Sequence, residues 1–300
     1  MWALFAVISA VFLGTYDLFK KLSLDKNAVI PVLFFSTLTS AIIFAPLMML
    51  SVVQPRWLEG SLFYVPVIDI RSHGFIFLKA IIVTASWILT FFAVKHLPLT
   101  IVSPVRATGP LWTLAGAILI FAERLTLWQW VGIVVTLLFF YLFSVAGRSE
   151  GIHFRSNKWV YFLLAGTLLG GISGLYDKFL IRHFDRMAVQ SWSTIYQVAM
   201  LLPVLLLLWY PQRAQSTPFV WRRSIPMIAL FLCIADFLYF YAISYEGSLI
   251  SVISALRRSG VVISFTLGAL VFHEKNIRQK AWLLAGILAG VMILLFGSRG

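Results

Sequence analysis

The chain has 300 residues, 61% of them hydrophobic and only 12% charged, with a mean hydropathy of +0.93; a soluble domain is near half apolar and a quarter charged, so the composition excludes that class and marks a polytopic membrane protein. The formal net charge of +13 is scattered singly or in threes through short loops. That is the pattern of lipid-headgroup contact, not of a nucleic-acid surface.

A hydrocarbon core about 30 Å thick takes about 20 apolar residues per helix, and this ruler predicts spans at 2–19, 29–53, 75–94, 98–121, 127–146, 159–181, 189–210, 224–244, 247–272 and 281–297. The first stretch, MWALFAVISAVFLGTYDLFKK, lacks the basic leader and small-residue cleavage site of a signal peptide and is expected to stay as a helix. It ends on Asp17, Lys20 and Lys21, where the lysines are expected to snorkel to the interface. Span four holds Pro98, Pro104 and Pro110, the last two flanking Arg106. An interior proline removes one backbone hydrogen bond, so a bent or broken helix is expected there, either lining a cavity or simply kinked for packing. By depth, Arg106 is expected opposite the neighbourhood of Ser86.

Span six ends on Tyr176, Asp177 and Lys178, and span eight contains Asp236. Span nine reads SALRRSGVVISF, with Ser248, Ser251 and Ser254 at helical spacing before Arg257 and Arg258. Such a serine stripe serves interhelical packing as readily as a substrate path. Spans eight and nine turn near Glu246, which places Asp236 at the depth of Arg257 and predicts an intramembrane ion pair. In this half two carboxylates, Asp177 and Asp236, face three cations, Lys178, Arg257 and Arg258. Ionisable groups at such depth mark ligand or ion paths by default, and one surplus positive charge predicts an anionic ligand group.

An internal repeat organises the chain. Shifted by about 160 positions, Ala6, Ala10, Gly14, Tyr16 and Asp17 fall on Gly166, Gly170, Gly174, Tyr176 and Asp177. Shifted by about 151, Thr100, Ser103, Arg106, Gly109 and Glu123 fall on Ser251, Ser254, Arg257, Gly260 and Glu274. Five helices per copy is odd, so the second copy enters the bilayer from the opposite side, the inverted architecture of alternating-access transporters. The expected class is all-α, a polytopic membrane protein of ten transmembrane helices in two inverted five-helix repeats, 1–147 and 158–297.

Catalysis is not expected: His73, His96, His153, His183 and His273 lie at span ends or in loops, without an HExxH or nucleophile-elbow pattern. Nor is a cofactor or metal expected. The lone Cys233 excludes an intrachain disulfide and any CxxC motif.

The glutamates closing spans four and nine (FAERL, VFHEKN) and the small-residue helices WVGIVV and LLAGILAGV, on ten spans in two halves, closely resemble the EamA-type, ten-helix branch of the drug/metabolite transporter superfamily. The resemblance implies a fold shared with nucleotide-sugar and triose-phosphate translocators, whose ninth helix carries a basic pair for substrate phosphate, with a further lysine from the sixth helix. Arg257 and Arg258 resemble that pair and Lys178 the third cation, although Asp177 and Asp236 beside them depart from it. The resemblance also implies a bacterial inner membrane and cytoplasmic termini. The loop charges predict the reverse orientation, since lysine and arginine are more numerous after the odd-numbered spans.

The expected function is secondary transport of a small anionic or zwitterionic metabolite, with a proton or counter-substrate as coupling partner, by a monomer or homodimer. Arg257 and Arg258 would bind the anionic group and Lys178 assist. Asp236 would orient the arginines or carry a proton, Tyr176 and Ser254 would supply hydrogen bonds, and Asp177 and Arg106 complete the set. Export of amino acids or drugs past a purely structural charge cluster, and flipping of a lipid-linked phosphate, are the alternatives.

Overall fold

The computed structural model describes residues 2–109, 111–112, 126–147, 154–245, 253, 256–257, 259–272 and 276–296. Every regular element among them is helical: α1 (Trp2–Leu24), α2 (Val29–Val53), α3 (Pro55–Leu58), α4 (Ile70–His96), α5 (Leu99–Ala107), α6 (Leu127–Gly147), α7 (Lys158–His183), α8 (Arg186–Val204), α9 (Ser224–Ser244), α10 (Gly260–Phe272) and α11 (Ile277–Phe296). Five segments, Val29–Val53, Ile70–His96, Lys158–His183, Arg186–Trp209 and Ser224–Ser244, are long and apolar enough to cross a membrane by length and composition. Trp130–Phe143 and Gly260–Phe272 are shorter apolar stretches. Much of the expected fourth and ninth spans, with Glu123 and Glu274, lies outside the described residues.

Local chemistry sets the helix starts. Asp69, Asn157 and Asp185 accept the orphan amides of Arg71, Trp159, and Met187 with Ala188, opening α4, α7 and α8. The Ser72 hydroxyl bonded to Asp69 holds that carboxyl below its ordinary value. Pro203 withholds a donor near the end of α8, and the helix continues as a wider π turn over Leu205–Trp209.

The outer surface is apolar, with Ile42, Val134 and Leu207 each more than 60% exposed, while hydroxyls and charges are buried inside. Without water outside, close packing and interhelical hydrogen bonds hold such a bundle together. α1 packs on α9 and α10, α4 on α7 and α8, α2 on α8 and α9, α5 on α10, and α6 on α11. Small residues make the approaches: Gly14 and Gly260 join α1 to α10, Gly166 lies on Ser86 and Thr90, and Gly286 and Gly290 lie on Phe139 and Thr136. The Ser86 hydroxyl donates to the Gly166 carbonyl at 2.8 Å, and the Ser9 hydroxyl to the Ala235 carbonyl at 2.6 Å.

Hydrogen bonds at the helix ends fix direction. On one side, Lys21 Nζ donates to the Val94 and Leu97 carbonyls (2.8 and 2.7 Å), and Ser23 meets Ser224 at 2.6 Å. The ends of α1 and α4 and the start of α9 therefore share a face, called here the distal face. On the opposite, proximal face, Tyr176 near the end of α7 donates to the Phe75 carbonyl near the start of α4 (3.2 Å), and Arg186 reaches Ser244 (3.2 Å). α1 thus runs with α4, and its repeat counterpart α7 runs against both.

Candidate functional site

Seven ionisable side chains meet within the bundle at two levels. Nearer the distal face, Asp17 of α1 forms ion pairs with Lys20 Nζ, at 2.9 Å, and with Arg106 of α5. Lys20 is 1% exposed, its ammonium 4.4 Å from the Tyr16 ring centre and 5.3 Å from that of Phe91. An ammonium over aromatic faces recovers part of its lost hydration. Nearer the proximal face, Asp177 of α7 pairs with Lys79 of α4, and Asp236 of α9 with Arg257. Lys79 lies 5.0 Å from the Phe240 ring centre, and the Arg257 guanidinium 3.9 Å from that of Tyr239. α1, which carries Asp17, packs along α9, which carries Asp236, so the two levels adjoin.

Both arginines sit beside a break in their helix. α5 ends at Ala107, and the Thr108 and Leu111 amides turn back to Val105 and Thr108 in tight three-residue bonds. Arg257 is followed by the same arrangement: the Ser259 amide donates to Leu256, the Val262 amide to Ser259, and α10 begins at Gly260. Thr108 and Ser259 are equivalent under the 151-residue shift of the repeat. A proline removes its own donor and crowds the turn before it, and the turn before Pro110 in the sequence is the one that holds the first break. The second lacks a nearby proline. Interrupted helices leave backbone groups available to a ligand, and they recur at transporter binding sites.

The expected Asp236–Arg257 pair is present. Other expectations need correction. Arg106 takes as its partner not a group near Ser86 but Asp17 on α1, while Ser86 is bonded to Gly166. Lys20 does not snorkel; Asp17, one turn earlier on the same helix, compensates its charge in place. Lys21 turns inward to cap the end of α4. Asp177 pairs with Lys79 of α4, a cation that the count of Lys178, Arg257 and Arg258 left out. Lys178 is half-buried and forms no ion pair among the described residues. The Tyr176 hydroxyl is occupied by Phe75. Arg258 and Ser254 lie outside the described residues.

Lys79 escaped the sequence reading, although a single lysine within an apolar span is the kind of signal that marks function or pairing in a membrane. Arg257 Nε is buried without a hydrogen-bond partner among the described residues. A narrow crevice beside the distal cluster is lined by Tyr16, Ser36, Thr37, Ser40, Trp87 and Phe91. No group of acids, histidines and cysteine suited to a metal occurs among the described residues.

The sequence pattern of the EamA-like transporter family matches residues 1–145 and again 157–296. The chain belongs to this family. One solved crystal structure is similar over 97% of this chain and 98% of its own, with a TM-score of 0.58 at 17% identity, a likeness of fold. No curated protein matches the chain significantly. Membership identifies an integral membrane protein of a transporter family and accounts for the internal repeat, because the family pattern occurs once in each half.

Proposed function

We propose that this EamA-family protein is a ten-helix secondary transporter in which two inverted five-helix repeats, 1–147 and 158–297, alternate access to a charged site at their junction. Its cargo is a small anionic or zwitterionic metabolite of the bacterial inner membrane. The observation that carries the reading is the paired helix break: each half interrupts one helix just past an arginine, Arg106 or Arg257, that is paired with a carboxylate, Asp17 or Asp236. The opposed directions of α1 and α7 support the inversion.

The charge balance supports the sign of the cargo. In the ion-paired set four cations, Lys20, Lys79, Arg106 and Arg257, face three carboxylates, Asp17, Asp177 and Asp236. The surplus falls in the distal group, and the unpartnered Arg257 Nε adds a buried donor in the proximal one. A ligand carboxylate or phosphate would satisfy both demands. Arg257 and Arg258 bind the anionic group in this reading, Lys178 assists, and Asp236 orients Arg257 or carries a coupling proton.

A second reading keeps transport and changes the cargo to a neutral or cationic amino acid or drug. It is favoured by one fact: each of the three carboxylates already has a cation, so the pairs are complete without a ligand. Ligand-induced thermal stabilisation separates the two, since a ligand at 100 times its Kd adds about 2.7 kcal/mol. Purified protein is screened against phosphorylated metabolites, carboxylates, amino acids and organic cations, beside Arg257→Gln and Arg106→Gln. Stabilisation by anions that disappears in Arg257→Gln is the expected result. Stabilisation by cations or neutral compounds that survives both substitutions would replace this reading with the second.

A further inference from the structure

The distal face is closed by a strap, residues 217–221, belonging to the second half and laid across helix ends of the first. Asn27, fully buried in the turn between α1 and α2, holds it in two directions. Its Nδ2 donates to the Val220 carbonyl at 2.7 Å, and its Oδ1 accepts the Val220 amide and the Ala28 amide, each at 2.9 Å. An asparagine side chain has the donor and acceptor of a peptide group, so Asn27 pairs with Val220 as a neighbouring strand would. Four further contacts tie this segment and the three residues after it: Arg222 Nη1 to the Leu22 carbonyl at 2.6 Å, Ser23 to Ser224 at 2.6 Å, Lys95 Nζ to the Thr217 hydroxyl at 2.9 Å, and Phe219 stacked on Phe35 at 5.2 Å.

The proximal face has the equivalent pieces with different chemistry. Under the 160-residue shift the counterpart of Asn27 is Met187, buried in an apolar cluster with Phe44, Val65 and Cys233. Val65 belongs to the equivalent connection, between α2 and α4, but its amide donates to Ser51 of its own half at 3.0 Å. The distal strap is thus tied to the first half by polar bonds, whereas the proximal connection meets the second half through Met187 and through Phe63 stacked on Phe237. The polar ties between the halves on the proximal face, Tyr176 to Phe75 and Tyr196 to His73, run between helices instead.

We infer that Asn27 and Arg222 form a latch that holds the strap down and keeps the distal face shut. Lifting the distal strap breaks directional bonds and strands buried polar groups, whereas lifting the proximal connection separates adaptable apolar surface. The alternation it regulates rests on the transport reading above; the latch itself does not.

Hydrogen exchange in wild type, Asn27→Met and Arg222→Gln tests it. Asn27→Met installs the residue of the other half, and Arg222→Gln, in the half-buried loop, decides if the first variant fails to fold. Exchange across 217–224 is expected to rise about ten-fold in either variant, the effect of one or two lost hydrogen bonds, with 59–69 unchanged. A Ser36→Cys reporter in a Cys233→Ser background, beneath the strap, should also react faster with a membrane-impermeant thiol reagent. Unchanged exchange and labelling would overturn the latch, whatever ligand stabilisation shows. Faster exchange and labelling in a protein that no ligand stabilises would support the latch and overturn the transport reading instead.

Discussion

The two halves carry the same Tyr-Asp step, Tyr16-Asp17 and Tyr176-Asp177, and use it differently. Asp17 gathers two cations of its own half, Lys20 and Arg106, whereas Asp177 takes Lys79 from the other half. The repeat position of Lys20 is the buried Leu180, so the second copy lacks a cation one turn along the helix and draws one from across the junction. The tyrosines diverge as well: Tyr16 faces the crevice with an ammonium against its ring, and Tyr176 is tied to a backbone carbonyl. The comparison teaches that a duplicated motif keeps its position more faithfully than its partners, because in lipid the partner is whichever opposite charge lies within reach.

Removing the acid that serves two cations should break this comparison most severely. Asp17→Ala leaves Lys20 and Arg106 buried and uncompensated, and loss of one partner of a buried pair costs about 3–5 kcal/mol; little folded protein is expected by fluorescence-detected size exclusion. Adding Lys20→Met should recover part of the yield. Asp177→Ala strands Lys79 alone and should cost about 3 kcal/mol, at the low end of that range. Lys79→Met with Asp177→Leu should restore the melting temperature, while transport in proteoliposomes shows whether the pair serves the cargo.

The glycines sharpen the same contrast at smaller scale. A Cβ on Gly14 would meet the Gly260 carbonyl and Ile263, whereas nothing lies within 4 Å of one on the equivalent Gly174. Gly14→Ala should lower stability by about 1–3 kcal/mol through overpacking. Gly174→Ala should be neutral or raise stability by up to about 1 kcal/mol through helix propensity. Equal melting temperatures for the two variants would refute the asymmetry of the α1–α10 approach.

The smallest effect belongs to Asp69. Its carboxyl titrates below the ordinary aspartate value of 3.8 because of its bond to Ser72. A lowered pKa gives a contribution that is complete above that value and disappears as pH falls through the still lower folded one. Ser72→Ala should therefore speed exchange in the first turn of α4 at neutral pH and leave it unchanged in strong acid.

The membrane class, the duplication, the Asp236–Arg257 pair and the interruption beside Arg106 are all legible in the order of the residues. Each rests on information local to a helix or common to both copies: apolar length, proline, small-residue spacing, and depth counted from a shared turn. The equivalent interruption at Ser259 was not legible, since span nine has no proline to announce it. Which carboxylate takes which cation was decided only by the tertiary structure. Depth fixes how far along its helix a charge lies, but lateral neighbours depend on helix order and rotation, which hydropathy does not encode. The inward turn of Lys21, the cross-half partner of Asp177 and the strap held by Asn27 all follow from that lateral arrangement, whose reason is physical: in a bundle without water, a buried polar group must pair with the nearest complement that packing supplies.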